Sequence, residues 1–163
     1  MKILNVEIHE RDLNKQLSPY LEGHFFHTTT FENWLMIKSC GYITGKNVNG
    51  SLCPQRISYG SRRGYICIFD WKNNSKETIE EQSIKLNPFD PFGHSCDPVF
   101  VIFKNDIESN IIPNNVAVLE TEYRERFVPH IECWHSKDIQ LNMVETVLIT
   151  ELYREKGTNS FFP

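Results

Sequence analysis

The chain has 163 residues, 40% of them hydrophobic and 23% charged, which supplies a packed core for one domain and is too short for two large ones. Its 17 basic and 21 acidic residues leave a net charge of −4, which argues against broad electrostatic binding to nucleic acid but leaves room for a local basic patch. No apolar run of membrane-spanning length occurs, Met1 to Glu10 lacks a basic-then-apolar leader, and the five scattered cysteines include no CxxC. The expectation is a cytoplasmic protein with reduced thiols and no membrane contact.

Residues 1–22 are polar and mixed, and Leu13 to Leu21 reads as a short helix or an extended arm. The first sharp signal is Gly23 to Gly41. Phe25-Phe26-His27-Thr28 has the aromatic content of a strand. Thr29 and Glu32 form a capping box, and Phe31, Trp34, Leu35 and Ile37 fall mostly on one helical face. Gly41 stands where a helix end favours positive φ. Tyr42 to Thr44 suits a short strand, and Gly45 to Tyr59, rich in Gly, Asn, Ser and Pro, a long loop.

Gly64 to Trp71 is aromatic and β-branched and predicts a strand. Ser75 to Leu86 predicts a helix with early acidic residues, and Asn87 to Pro98, with three prolines, a loop. Val99 to Lys104 is a central apolar strand, and Val116 to Leu119 another short one. His130 to His135 reads as a strand around Glu132, Ile139 to Met143 as a turn of helix, and Thr146 to Tyr153 as a final strand. Helix early and strands late argue for an α+β fold.

Three segments carry candidate chemistry. In a strand, His130, Glu132 and Trp134 share one face and Ile131 and Cys133 the other, so Glu132 is poorly solvated unless that face opens to a cleft. The alternative is an exposed edge strand. His27, Thr28 and Thr29 converge where a strand meets the free amides of a helix start, a place suited to polar ligand groups, or serve only as cap and strand end. Ser58 to Tyr65 offers two glycines for close backbone approach and two arginines suited to phosphate, or is a solvated turn.

The order of these segments resembles the ADP-ribosyltransferase superfamily. Phe25-Phe26-His27-Thr28-Thr29, followed by Asn33 to Ile43, is similar to its opening, where an aromatic, a histidine and a Thr or Ser lead into a helix ending I-x-x-G-x-I. Ile37 to Gly41 carries one extra residue there. Gly64 to Phe69 resembles the second motif, an aromatic strand against the nicotinamide. His130-Ile131-Glu132-Cys133-Trp134, then Asp138 to Leu141 and Val144 to Ile149, resembles the third. The layout is closest to DarT-like and related bacterial or phage toxin and defence branches, and spans roughly residues 23–153 of a single domain, 1–163.

The resemblance implies a split β-sandwich of two small mixed or antiparallel sheets with flanking helices and an NAD cleft. It also implies NAD-dependent transfer of ADP-ribose to a macromolecular acceptor, nucleic acid or protein, with an antitoxin or inhibitor as a further partner. His27 would bond the nicotinamide ribose, Thr28 would help to orient the ribose or the carboxamide, Thr29 would also line the cofactor site, and Tyr65 or Tyr59 would stack on the nicotinamide. Arg62 or Arg63 would meet the pyrophosphate, and Glu132 would be the catalytic carboxylate, kept ionised by His130 or an arginine. His27 and Glu132 would line one nucleotide-sized pocket. His130 departs from the Gln or Glu that many side-chain-modifying members carry two residues before the catalytic glutamate.

Four other readings compete. One is a non-catalytic module for NAD-like or nucleotide ligands. Another is an RNA 2′-phosphotransferase, which wants a basic cluster and finds Arg56, Arg62 and Arg63. The third is a zinc site from His94, Cys96, His130, Cys133 and His135, although these spacings are not those of a finger or knuckle. The fourth is a structural protein with the aromatics as core.

Overall fold

The computed structural model describes residues 1–9, 13–45, 59–86, 97–121, 128 and 130–153. Its spine is Pro98–Phe103 (β5), whose six side chains are all buried. An apolar run with no polar alternation is what a strand covered on both faces requires. Phe25–Thr30 (β2) lies antiparallel along one side of β5, and Val144–Tyr153 (β9) antiparallel along the other. Lys2–His9 (β1) adds parallel to β9, from Lys2 opposite Thr146 to His9 opposite Tyr153.

On the far side, Ile66–Asp70 (β4), Glu132–His135 (β7) and Ile111–Ile112 (β6) continue the sheet. The order is β1-β9-β5-β2-β4-β7-β6, a seven-stranded mixed sheet. Tyr42–Ile43 (β3) and Ile139–Gln140 (β8) pair separately as a two-stranded sheet. The α+β class therefore stands, but the described strands do not divide into two small sheets. Seven join one ladder, because β2 pairs with both β5 and β4.

Strand alternation gives the sheet two faces. The first carries Phe26, Phe69, Phe100, Ile102 and Leu148, and is covered by Leu13–Leu21 (α1) and Lys76–Leu86 (α4), with Trp71 and Ile131 filling in. Leu13, Leu17 and Leu21 recur every fourth residue and are buried, the spacing of one helical stripe. The second face carries Phe25, Ile68, Val99, Val101, Cys133 and Val147. It is covered by Trp34 of Phe31–Cys40 (α2), by Ile107, and by Ile43 and Ile139 of the small sheet.

Several local expectations shift. The cap of α2 is Thr30, not Thr29: its hydroxyl accepts the Asn33 amide at 3.2 Å, and it keeps extended backbone as the last residue of β2. Gly41 closes α2 with φ of 85°, as expected. The helix buries only Trp34 fully, while Phe31, Leu35 and Met36 are exposed. Val116 to Leu119 is not a strand but part of Asn114–Thr121 (α5), which starts after Pro113. Proline fits a helix start, and only Ala117 of α5 is fully buried, so the β-branched valines follow the helix. Ile139 to Met143 is β8 followed by a turn of 3-10 helix over Leu141–Met143. Among the described residues, no helix is long and apolar enough to cross a membrane.

Candidate functional site

Glu132 opens β7 opposite Phe69 of β4, and so belongs to the first face. It is 3% exposed. One carboxylate oxygen accepts the Val128 amide at 2.8 Å, and the other accepts the Trp134 indole N–H at 3.2 Å. Cys67, on the same face of the neighbouring strand, also favours the charged form of the carboxylate. Burial outweighs these donors and raises the carboxyl from 4.5 to about 7. This differs from the expectation of a carboxylate held ionised by a neighbouring cation: among the described residues, the influences on Glu132 are burial and hydrogen bonds, not a charged side chain.

His130 explains part of the difference. It lies before the strand, not in it, in a turn with φ of 66°, and is exposed. The turn folds back so that the Glu132 amide donates to the Val128 carbonyl at 3.0 Å. The Asn114 side-chain amide donates to the Glu132 carbonyl at 2.7 Å, fixing the start of α5 to the same turn. Ile131 therefore packs with the first-face core instead of sharing a face with Cys133.

His27 takes a different position from the one expected. It pairs with Val101, so by register it belongs to the second face, opposite Glu132. The described β2–β4 ladder ends at Phe26 with Phe69, and beyond it the His27 ring donates from Nδ1 to the Cys67 carbonyl at 2.8 Å. A carbonyl accepts only, so Nδ1 carries the proton. Burial lowers the ring's pKa more than this bond raises it, so the ring is neutral and Nε2 is an acceptor. The two residues do not face each other across one pocket. Cys67 lies between them: its carbonyl accepts from the ring, and its side chain shares the first face with the carboxylate.

Thr28, next along β2, shares the first face with Phe100. It is 7% exposed and its hydroxyl has no hydrogen-bond partner. A buried hydroxyl without a partner costs about 1–3 kcal/mol, so this atom suits a ligand group. Thr29 is buried on the other face, opposite Val99. Tyr65 is half-buried and stacks on Trp134, with centroids 5.2 Å apart and planes 14° apart.

Tyr59–Arg62 (α3) lies over this stack. A Cβ on Gly60 would sit 2.6 Å from the Trp134 indole nitrogen, so only glycine permits the approach. The Ser61 hydroxyl comes 3.8 Å from the Cys67 sulfur. Arg62 and Arg63 are exposed beyond it. Of Tyr59 the structure describes the backbone alone, and Arg56, His94 and Cys96 lie outside the described residues.

The residues the sequence reading did not single out are Cys67, Ser61, Val128 and Asn114. Cys67 alternates with Tyr65 and Phe69 on β4, which was the one signal that could have found it. Cys133 points to the second face and its thiol donates to the Ile68 carbonyl. His135 is buried at the end of β7, its Nδ1 bonded to the Lys137 carbonyl at 2.6 Å. Among the described residues no three His, Cys, Asp or Glu side chains are grouped as metal ligands. A cavity of about 290 Å³ adjoins His135, Asn110 and Asp138 and includes neither His27 nor Glu132.

The molecule is thus an α+β protein with a mixed seven-stranded sheet that carries a buried carboxylate, a buried hydroxyl and a half-buried thiol on one face. Comparison with protein-family models, with curated proteins and with solved structures returns no match.

Proposed function

We propose that the chain is an NAD-dependent ADP-ribosyltransferase that transfers ADP-ribose to a nucleic-acid or protein acceptor, in a toxin or defence setting. The observation that carries this reading is the junction at Cys67. There one residue accepts a bond from a neutral imidazole and lies beside a buried carboxylate on the neighbouring strand, where β2 and β4 stop pairing.

The chemistry suits such a junction. Breaking the nicotinamide–ribose bond builds positive charge on the ribose, and a fixed carboxylate in a dry site stabilises that charge as it grows. Nicotinamide leaves with the bonding electron pair, the acceptor's nucleophile bonds to the ribose carbon, and the acceptor's proton is released. A carboxylate offers about four acceptor positions. Among the described residues Val128 and Trp134 each bond one oxygen, which leaves acceptor capacity for a ribose hydroxyl. The free Nε2 of His27 is a second acceptor for a hydroxyl, and the Thr28 hydroxyl is an unmet donor or acceptor. Tyr65, backed by Trp134, is a rigid ring for stacking, and the exposed Arg62 and Arg63 beyond it suit pyrophosphate.

One observation favours a second reading. Glu132 is 3% exposed with both oxygens bonded, as in a structural carboxylate, which would make the chain a non-catalytic NAD or nucleotide-binding module. Incubation with NAD labelled separately in nicotinamide and in adenine tells the two apart. The transferase releases nicotinamide and labels an acceptor from cell extract, and Glu132→Gln does neither. Bound NAD with no nicotinamide release would establish the binding module.

A further inference from the structure

The outermost strand of the sheet is β1, which pairs with β9 on one side and has no described strand on the other. Along a strand, the N–H and C=O of one residue point to the same side, and the side alternates from residue to residue. His9 shows which set points outward. The Gln16 side chain of α1 turns to it: the Gln16 side-chain carbonyl accepts the His9 N–H, and its amide donates to the His9 carbonyl, both at 3.1 Å. A side-chain amide there takes the place of a neighbouring strand. By alternation Ile3, Asn5 and Glu7 also turn their backbone groups outward, while Lys2, Leu4, Val6 and Ile8 serve the ladder to β9. Among the described residues none bonds the outward groups of these three. The side chains divide in the same way. Leu4 and Val6 lean half-buried on the first-face core beside the buried Ile8, and Ile3, Asn5 and Glu7 are exposed on the other face. An open edge of this length is a template for another strand unless something blunts it, and Gln16 blunts one end only.

We propose that this edge pairs with the same edge of a second copy of the chain, antiparallel about a two-fold axis through Asn5, so that two seven-stranded sheets join into one. The register follows from the edge itself. With Asn5 opposite Asn5, Ile3 lies opposite Glu7 of the second copy, and every outward N–H and C=O of these three residues meets a partner. A slip of one residue would set first-face side chains against second-face ones. A slip of two toward His9 runs into the Gln16 amide, and a slip of two toward Met1 leaves Glu7 opposite a residue outside the strand. The remaining register sets Leu4 against Val6 on the first face, so the half-buried apolar side chains of the two copies cover one another. On the other face the two Asn5 amides meet across the axis and Glu7 meets Ile3, so no like charges stand opposed. The edge matches itself in length, apolar pattern and charge, and this match selects a second copy over an unrelated strand.

The test is sedimentation equilibrium of the full chain. A strand edge is a small interface, so the mass should climb from monomer toward dimer over about 10 µM to 1 mM. Asn5→Pro removes the central outward N–H and no bond to β9, so the variant should fold and raise the dissociation constant by about tenfold or more, the worth of the two central bonds. Cysteine trapping reads the register in a Cys40→Ser background, which removes an exposed thiol. Directly opposed strand residues lie within disulfide reach, so mild oxidation should link two copies of Asn5→Cys, whereas Glu7→Cys, opposite Ile3, should link no better than the background chain. Hydrogen exchange needs no variant and decides if Asn5→Pro does not fold: the Ile3, Asn5 and Glu7 amides should exchange more slowly as wild-type concentration rises. A protein that stays monomeric to about 1 mM would overturn the proposal. So would a dimer in which those three amides exchange at the same rate at low and high concentration, or one in which Asn5→Cys links no better than Glu7→Cys. Protection of the three amides only when cell extract is added would give the edge to a different protein and overturn it as well.

Discussion

Replacing Glu132 with glutamine should remove the part of the protein's stability that is lost between pH 5 and pH 8. The carboxyl sits at about 7 in the folded chain against 4.5 for an ordinary glutamate, chiefly because burial penalises its charge. The folded state then holds the proton more tightly than the unfolded one. Stability falls as pH rises from about 4.5 and levels off once pH passes the folded value. At about 1.4 kcal/mol per pH unit, the loss between pH 5 and pH 8 comes to roughly 2.5 kcal/mol. Glutamine keeps the shape, but its amide nitrogen cannot accept, so it loses one of the two bonds from Val128 and Trp134 at every pH, a cost of about 1–3 kcal/mol. Against that constant offset, the stability difference should move in the variant's favour by roughly 2.5 kcal/mol between pH 5 and pH 8. Urea unfolding followed by fluorescence reads this directly, since Trp34, Trp71 and Trp134 are all buried. Groups common to both proteins cancel in the difference. A difference that is flat with pH, or that grows in favour of glutamate, would refute the claim that Glu132 is held in a dry site.

Three further outcomes follow from the packing. Gly60→Ala places a methyl 2.6 Å from the Trp134 indole and should cost about 1–3 kcal/mol, with loss of the Tyr65–Trp134 stacking signal in near-UV circular dichroism. Thr30→Ala removes the α2 cap and should cost about 1 kcal/mol by thermal or urea unfolding, whereas Thr29→Ala removes no cap. Nitrogen NMR of the histidines should show His27 with its proton on Nδ1, remaining neutral below the usual imidazole midpoint; a proton on Nε2 would contradict the bond to Cys67.

The main elements were legible where one signal dominated. Val99 to Phe103 is unbroken apolar sequence, and the Phe25 strand, the Trp34 helix and its closing glycine follow from composition and caps. The N-terminal strand was not read, although Leu4, Val6 and Ile8 alternate inward, because Ile3 on the opposite side blurs the period. Val116 and Val118 favour a strand locally, and the helix wins through the start at Pro113 and Asn114. Three consecutive threonines all suit a cap, and only backbone geometry selects Thr30.

The site was half legible for a similar reason. Glu132 and Trp134 on one face follow from alternation, but the positive φ of His130 ends that alternation before the strand begins. Whether His27 and Glu132 share a face depends on the register of β2 against β4 and of β4 against β7. Those pairings join residues far apart in sequence, and a one-residue step reverses a side chain's face. The place of Cys67 depends on the same registers, and alternation with Tyr65 and Phe69 is its one local trace.

The most direct test of the account is the pH profile of nicotinamide release from NAD by wild type and Glu132→Gln side by side. The ionised carboxylate is the active form, so the wild-type rate should climb with pH and level off above about 7, while the glutamine variant stays at the background rate throughout. A wild-type protein silent at every pH, or a glutamine variant that keeps the wild-type rate, would contradict the assignment of Glu132 as the carboxylate that supports the reaction.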